Sequence, residues 1–210
     1  MKLIYTDRSV CIMAINLPKE ERQSQIMEAA MKVITRKGFS NTRMDDIVNE
    51  AGLSKGAIYH HYEGKKEIFL ALIGHWETQT FPDFYSRNGK ERSAADTLKD
   101  FASEVIKVFK SRSHVFQAEV EFWALANQDD EVRKRSQELY EKIITLFELV
   151  IIKGIREKEF IKVDTRITAI YILSVFQGIN WFCIFKDKKI NAEDYIQKSI
   201  KLILSGLKIS

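Results

Sequence analysis

The sequence predicts an all-α protein, and three observations carry the prediction. Apolar residues recur at helical spacing along most of the chain. Only 2 prolines and 9 glycines punctuate 210 residues, so long helices meet few breaks. No stretch alternates apolar and polar residues for long enough to make a strand. With 45% hydrophobic and 30% charged residues, the chain can build a packed core under a solvated surface, as one large domain or two small ones.

Residues 1–18 read as an N-terminal tail. The apolar run Val10–Ile15 is too short and too weakly flanked for a signal peptide. Met13 reads as the natural start, the residues before it being an upstream extension. The first helix is expected over Ser24–Lys37, where Ile26, Ala29, Ala30, Val33 and Ile34 form an apolar stripe and Gly38 supplies the C-terminal cap. Thr42 is expected to open a second helix, with Asp45 three residues on as the partner in a capping box. Gly52 ends it, and Ser54 caps a third helix over Lys55–His61. A fourth starts near Lys65, with Ile68, Phe69, Leu72, Ile73 and Trp76 inward. Residues 79–92, with Pro82 and Gly89, read as a helix end and linker. Further helices are expected over Ser93–Arg112, His114–Asn127, Asp129–Glu157, Thr165–Lys186 and Ala192–Leu207.

The block from Gly38 to Glu67 carries the functional signal. Two short helices meet at a tight turn, Ala51-Gly52-Leu53-Ser54. Gly52 can take the positive φ the turn needs, and Leu53 can plug between the helices. This is the pattern of a helix-turn-helix, whose second helix enters the DNA major groove. Lys55, Gly56, Tyr59 and His60 lie on the exposed side of that helix, whereas Ala57, Ile58 and Tyr62 are placed to pack. Gly56 allows close approach of the backbone; Lys55, Tyr59 and His60 can donate to phosphates or base edges. Thr42, Arg43 and Lys65 flank the reading helix and suit backbone phosphates. A lysine at a helix N-terminus opposes the macrodipole, which favours a phosphate partner for Lys65.

The run Gly38-Phe39, Thr42, Ile47, Ala51 through Tyr62, then Lys65-Lys66-Glu67 resembles the N-terminal signature of TetR (tetracycline-repressor) regulators. Ile26, Ala29, Ala30 and Gly38 fit that family's first helix. The resemblance covers residues 20–70, with Tyr62 where phenylalanine is also usual and Gly64 in place of the commoner serine or asparagine. It implies a helix-turn-helix over residues 43–62 within a DNA-binding domain at 19–67. It also implies a helical domain at 68–210 that binds a small-molecule inducer and dimerises, and a repressor as the default.

Two features of the C-terminal part support that reading. Ile167–Phe185 is 19 residues without a charge, which by length alone could span a bilayer. Thr168, Ser174, Gln177 and Asn180 argue against a membrane, and a helix apolar all round requires burial on every side. A second subunit supplies the cover, so this helix and Ala192–Leu207 are expected to form a four-helix bundle across a two-fold axis. The dimer would place two reading helices about one DNA turn (~34–36 Å), or a small multiple, apart and select a palindromic operator. Aromatic residues also crowd this half. Most must be core, but Phe116, Trp123, Phe147, Tyr171, Gln177 and Trp181 are candidates to line an inducer pocket of apolar walls and few polar anchors. They point to an apolar or aromatic inducer; Glu119 and Glu121 flank this region and would suit a cationic ligand, but at least one of them is expected to be a surface carboxylate.

Other classes fit less well. The net charge of +4 is not concentrated: residues 19–75 hold nine basic and eight acidic side chains, and residues 76–210 hold 22 and 20. Any electrostatic footprint for DNA must be local. That balance is the best support for the competing reading, a protein–protein module whose helix-turn-helix is only structural. Cys11 and Cys183 show no redox or metal spacing, so the chain reads as cytoplasmic and disulfide-free. Four histidines make no zinc motif. No phosphate-binding loop, nucleophile elbow or catalytic carboxylate pair is present, so neither an enzyme nor a cofactor is expected.

Overall fold

A computed structural model describes residues 18–80, 92–185 and 189–209. They form ten helices: α1 (Lys19–Lys37), α2 (Met44–Ala51), α3 (Lys55–Tyr59), α4 (Lys65–Thr80), α5 (Ala94–Arg112), α6 (His114–Ala126), α7 (Asp130–Arg156), α8 (Thr165–Gln177), α9 (Asn180–Phe185) and α10 (Ala192–Leu207). The expectations about residues 1–17, including the start at Met13, and most of the 79–92 linker lie outside the described residues.

The caps follow the side chains. Ser93 Oγ accepts from the Asp96 N–H at the start of α5, Asp129 from Glu131 and Val132 at α7, Asp164 from Ile167 at α8, and Asn191 from Asp194 at α10. Each satisfies amide groups that the first turn leaves without partners. Two expectations are corrected here. Helix α1 begins at Lys19, five residues early, because Pro18 precedes a first turn rich in glutamate, a favourable start. The apolar run after Thr165 is not one helix. It breaks at Gly178–Ile179, and the Tyr195 hydroxyl, 2.1 Å from where a Gly178 Cβ would sit, donates to the Val175 carbonyl at 2.7 Å.

One continuous apolar core runs from Ile26 in α1 to Leu207 in α10. Helices α1–α3 sit at one end and α5–α10 form the larger body, with α7 and α8 the most extensively packed pair. Helix α4 belongs to both. Its Phe69 ring lies 4.6 Å from Phe39 on the first side and 5.4 Å from Phe122 on the other. Phe160 folds back on the end of α7, where its ring would stand 2.2 Å from a Cβ at position 154. Only glycine fits there. An isolated antiparallel bridge pairs Phe160 with Lys208 and closes the far end of the body.

Candidate functional site

The reading helix is built from the inside outward. Ile58 is fully buried and Tyr62 nearly so, which anchors one side of α3 on the core. Gly52 sits at φ 65°, ψ 30° and ends α2 in the left-handed region, a conformation cheap only for glycine. The Leu53 amide then donates back to the Val48 carbonyl at 3.3 Å. Ser54 Oγ accepts from the Ala57 N–H and starts α3. Gln25 of α1 ties the turn down by donating to the Ala51 carbonyl at 2.9 Å. With the inner side pinned, the outer side carries Lys55, Gly56, Tyr59 and His60, all exposed. A Cβ at Gly56 would meet nothing within 4 Å, so the backbone there is open to a groove.

Lys55 reaches across to Asp45 at 2.9 Å, both ends largely exposed, and its ammonium lies 5.9 Å from the Tyr59 ring centre. Asp45 raises the Lys55 pKa, keeping it cationic. A pair this exposed contributes little, and a phosphate can replace the carboxylate. Desolvation, with help from His60, Lys19 and Arg22, lowers the His61 pKa. Arg43 is exposed and serves as N-cap of α2.

Two expected phosphate ligands are placed elsewhere. Thr42 does not open α2. It is 2% exposed, and its hydroxyl donates to the Gly38 carbonyl at 2.8 Å. The helix starts one residue later, and Asp46, not Asp45, closes the capping box by accepting from the Arg43 N–H at 2.9 Å. Lys65 is turned inward. Its ammonium donates to the carbonyls of Phe39, Ser40 and Thr42 at 3.0, 3.2 and 3.1 Å and lies 4.7 Å from the Phe39 ring centre. Three donors meet three acceptors, so Lys65 clamps the α1–α2 turn instead of facing solvent.

The larger body holds a cavity between five helices. Trp76 of α4 and Phe101 and Val105 of α5 line one side. Phe116 and Glu119 come from α6, and Ile143 from α7; Leu173, Phe176 and Gln177 of α8 complete it. Its volume is about 20 Å³, room for about one water, so a larger guest must push the walls apart. Of the six candidates, Phe116 and Gln177 line it. Phe147 lies behind the wall, its ring 5.0 Å from Phe101 and 6.1 Å from Phe176. Trp123 is 39% exposed and reaches the site only through its Nε1–H, which donates to Tyr140 Oη at 2.6 Å. Tyr171 and Trp181 do not line the cavity. They point outward, more than half exposed, because Ile172, Leu173 and Phe176 occupy the inward side of α8 and Asn180 and Cys183 that of α9.

The sequence does not tell the two glutamates of α6 apart; the structure gives them separate partners. Glu119 is buried and accepts from Tyr140 Oη at 3.0 Å, Gln177 Nε2 at 2.9 Å and Asn180 Nδ2 at 3.0 Å. Burial pushes its pKa up against the pull of those three donors. Glu121, one half-turn on, accepts from the Phe39 N–H at 3.0 Å. The same residue is thus gripped at its amide by the body of the protein and at its carbonyl by Lys65. A second tie lies nearby, where Glu28 of α1 faces His75, Arg112 and His114 at 3.6, 3.6 and 3.7 Å. Residues 39 and 121 are 82 apart in the chain, and no local pattern pairs them.

Fold and interface together define a helix-turn-helix DNA-binding protein with a second, helical body. Comparison with known proteins narrows the class. Residues 26–72 match the family model described as bacterial regulatory proteins, tetR family. The uncharacterized HTH-type transcriptional regulator YfiR of Bacillus subtilis is 26% identical over 188 residues, covering 89% of this chain and 91% of its own. Another curated regulator matches over only 35% of its own length. Among solved structures, a putative transcriptional regulator from Saccharomonospora viridis in complex with choline superposes with a TM-score of 0.80 at 18% identity, covering 91% of this chain and 100% of that one. FadR from Bacillus subtilis in complex with stearoyl-CoA does so with 0.75 at 20%, covering 87% and 97%. Residues 26–72 thus match the tetR-family DNA-binding region, and over most of its length the chain is similar to an HTH-type transcriptional regulator.

Proposed function

We propose that the chain is a homodimeric repressor that binds a palindromic operator and leaves it when a small molecule enters the α4–α8 cavity. The observation that carries the DNA part is the outward face of α3, with Tyr59 43% exposed while Ile58 beside it is fully buried. Lys55, Gly56, Tyr59 and His60 read the groove, and Arg43 holds a phosphate from the N-terminus of α2. Thr42 and Lys65 shape the turn that presents them.

The dimer reading rests on exposed apolar surface. Ile167, Ile170 and Tyr171 on α8, Trp181 and Phe185 on α9, and Leu202 on α10 are 42–70% exposed. A patch of this kind on one body calls for a partner, and a second copy fits the symmetry of a palindrome. Release follows from the cavity: a guest too large for about 20 Å³ separates α6 from α4 and α8. Helix α6 carries the Glu121 grip on Phe39, so its displacement moves the reading head. The ligands in the two structural relatives differ in chemistry, so neither is transferred to this chain.

The test is titration of the protein into DNA from upstream of its own gene across a salt series. A steep decline in affinity with salt and a preference for an inverted repeat are expected. No binding at low salt would leave the helix-turn-helix as a structural element of a protein–protein module.

A further inference from the structure

We infer that the cavity takes an organic cation, seated with its positive centre on the Glu119 carboxylate and its apolar groups against the aromatic walls. The inference rests on the reading of this cavity as the inducer site and names the class of molecule that fits it.

Glu119 is the reason. It is 3% exposed, and every group that holds it is a neutral donor from another helix: Tyr140 of α7, Gln177 of α8 and Asn180 of α9. Among the described residues no lysine, arginine or histidine pairs with it. Burying a carboxylate with dipoles and no cation is a costly arrangement, and an apolar core would be the stable alternative. The donors also leave capacity unused. A carboxylate offers about four acceptor positions, and three are filled. The side-chain oxygen of Asn180, itself buried, has no donor. The site is therefore rich in acceptors and short of one positive partner. Its walls suit that partner: Trp76, Phe101, Phe116 and Phe176 line the same space, and ring faces attract cations, the more so away from water.

Burial raises the Glu119 pKa, which favours its protonated form where no cation faces it. The titratable neighbours are Tyr140 and Cys183, both pushed up by burial and by Glu119 itself. Neither supplies a positive charge. When a cation enters, it stabilises the carboxylate and the proton leaves to solvent, so charge balances. Binding of a cation releases a proton; binding of a neutral molecule of the same shape does not.

The experiment compares isosteres on the full-length protein. Phenyltrimethylammonium and tetraphenylphosphonium are the cations; tert-butylbenzene and tetraphenylborate have nearly the same shapes without the positive charge. Binding is read by calorimetry in buffers of different ionisation enthalpy and by displacement from operator DNA. The expected result is saturable binding of at least one cation, more than about tenfold tighter than its isostere, with proton release. Glu119→Gln should weaken the cation by more than about tenfold, remove the proton release and leave operator binding in place. The amide keeps the size of the carboxylate, and Asn180 can turn its free oxygen toward it. Should that variant fold poorly, Gln177→Met tests the same site by removing one donor, and tighter cation binding is expected. Preference for tert-butylbenzene or tetraphenylborate with operator release would overturn the cation and leave the cavity as inducer site. No saturable binding of either cation, or equal binding by wild type and Glu119→Gln, would overturn the cation outright. If Val105→Trp, which fills the cavity, leaves every ligand's effect unchanged, the reading of the cavity as inducer site falls as well.

Discussion

Lys65→Met separates two roles that a lysine at this position can have. The substitution keeps most of the aliphatic stem and removes the ammonium, which donates to three carbonyls of the α1–α2 turn at 3.0–3.2 Å and sits over the Phe39 ring. A hydrogen bond from a charged donor contributes about 1.5–3 kcal/mol. Three bonds that share one half-buried donor fall well short of three times that, since water regains the carbonyls. A total of about 2–3 kcal/mol results, the ring contact included. For a chain of this length that lowers Tm by about 5–10 °C at fixed protein concentration. Calorimetry reads the stability, and operator affinity measured from low to moderate salt reads the DNA contact. The clamp predicts a lower Tm and weaker binding with an unchanged salt slope. If Tm stays put while the slope of log affinity against log salt falls by about one, Lys65 is a phosphate ligand and the inward placement is refuted.

Other substitutions test the remaining links. Tyr59→Ala and Lys55→Ala should each weaken operator binding, by about 1–3 kcal/mol for a base contact, with Tm unchanged; intact binding in both would remove α3 as the reading helix. Glu121→Gln replaces an acceptor of full charge with a neutral one at the Phe39 amide, and about 1 kcal/mol of stability should go. In that variant a saturating inducer should change operator affinity less than in wild type; an undiminished response would show that α6 signals by another path. Ile167→Glu with Leu202→Glu should yield monomers on sedimentation and abolish operator binding, whereas a dimer persisting through both changes would place the interface elsewhere. His114 and then His75, whose Nε2 atoms stand 3.7 and 3.6 Å from it, hold the Glu28 carboxyl far below its usual range. A depressed carboxylate stabilises the fold above the unfolded-state value of about 4.3 and loses that contribution as pH falls. Glu28→Gln should therefore be less stable than wild type at pH 7, with the gap closing below about pH 4; a gap independent of pH would rule out the charge as its cause.

Helix positions, the Ser54 cap and the exposed side of α3 could be read from the sequence. These depend on residues three to four apart: the Ile26–Ile34 stripe, Ser54 before Ala57, Gly52 at its turn. Local geometry fixes them wherever the helix later packs. The start of α2 is ambiguous in the sequence, because Thr42 and Arg43 both precede an acidic residue by three. Burial of the threonine, decided by α1 and α4, made Arg43 the cap. The break at Gly178–Ile179 is not legible in the sequence, because periodicity alone cannot show that Tyr195, 20 residues from Val175, donates to its carbonyl.

What packing alone decided is which polar groups meet. Phe39 meets Glu121 across 82 positions, Glu119 meets Asn180 across 61, and Lys65 meets Phe39 across 26. Tyr171 and Trp181 face outward rather than toward a ligand because their neighbours filled the interior first. Residue type and spacing set what each helix can do; the crossing of helices determines which carboxylate is buried among neutral donors and which lysine closes on the α1–α2 turn. Hydrogen bonds act over about 3 Å, and only the folded chain brings such distant residues that close.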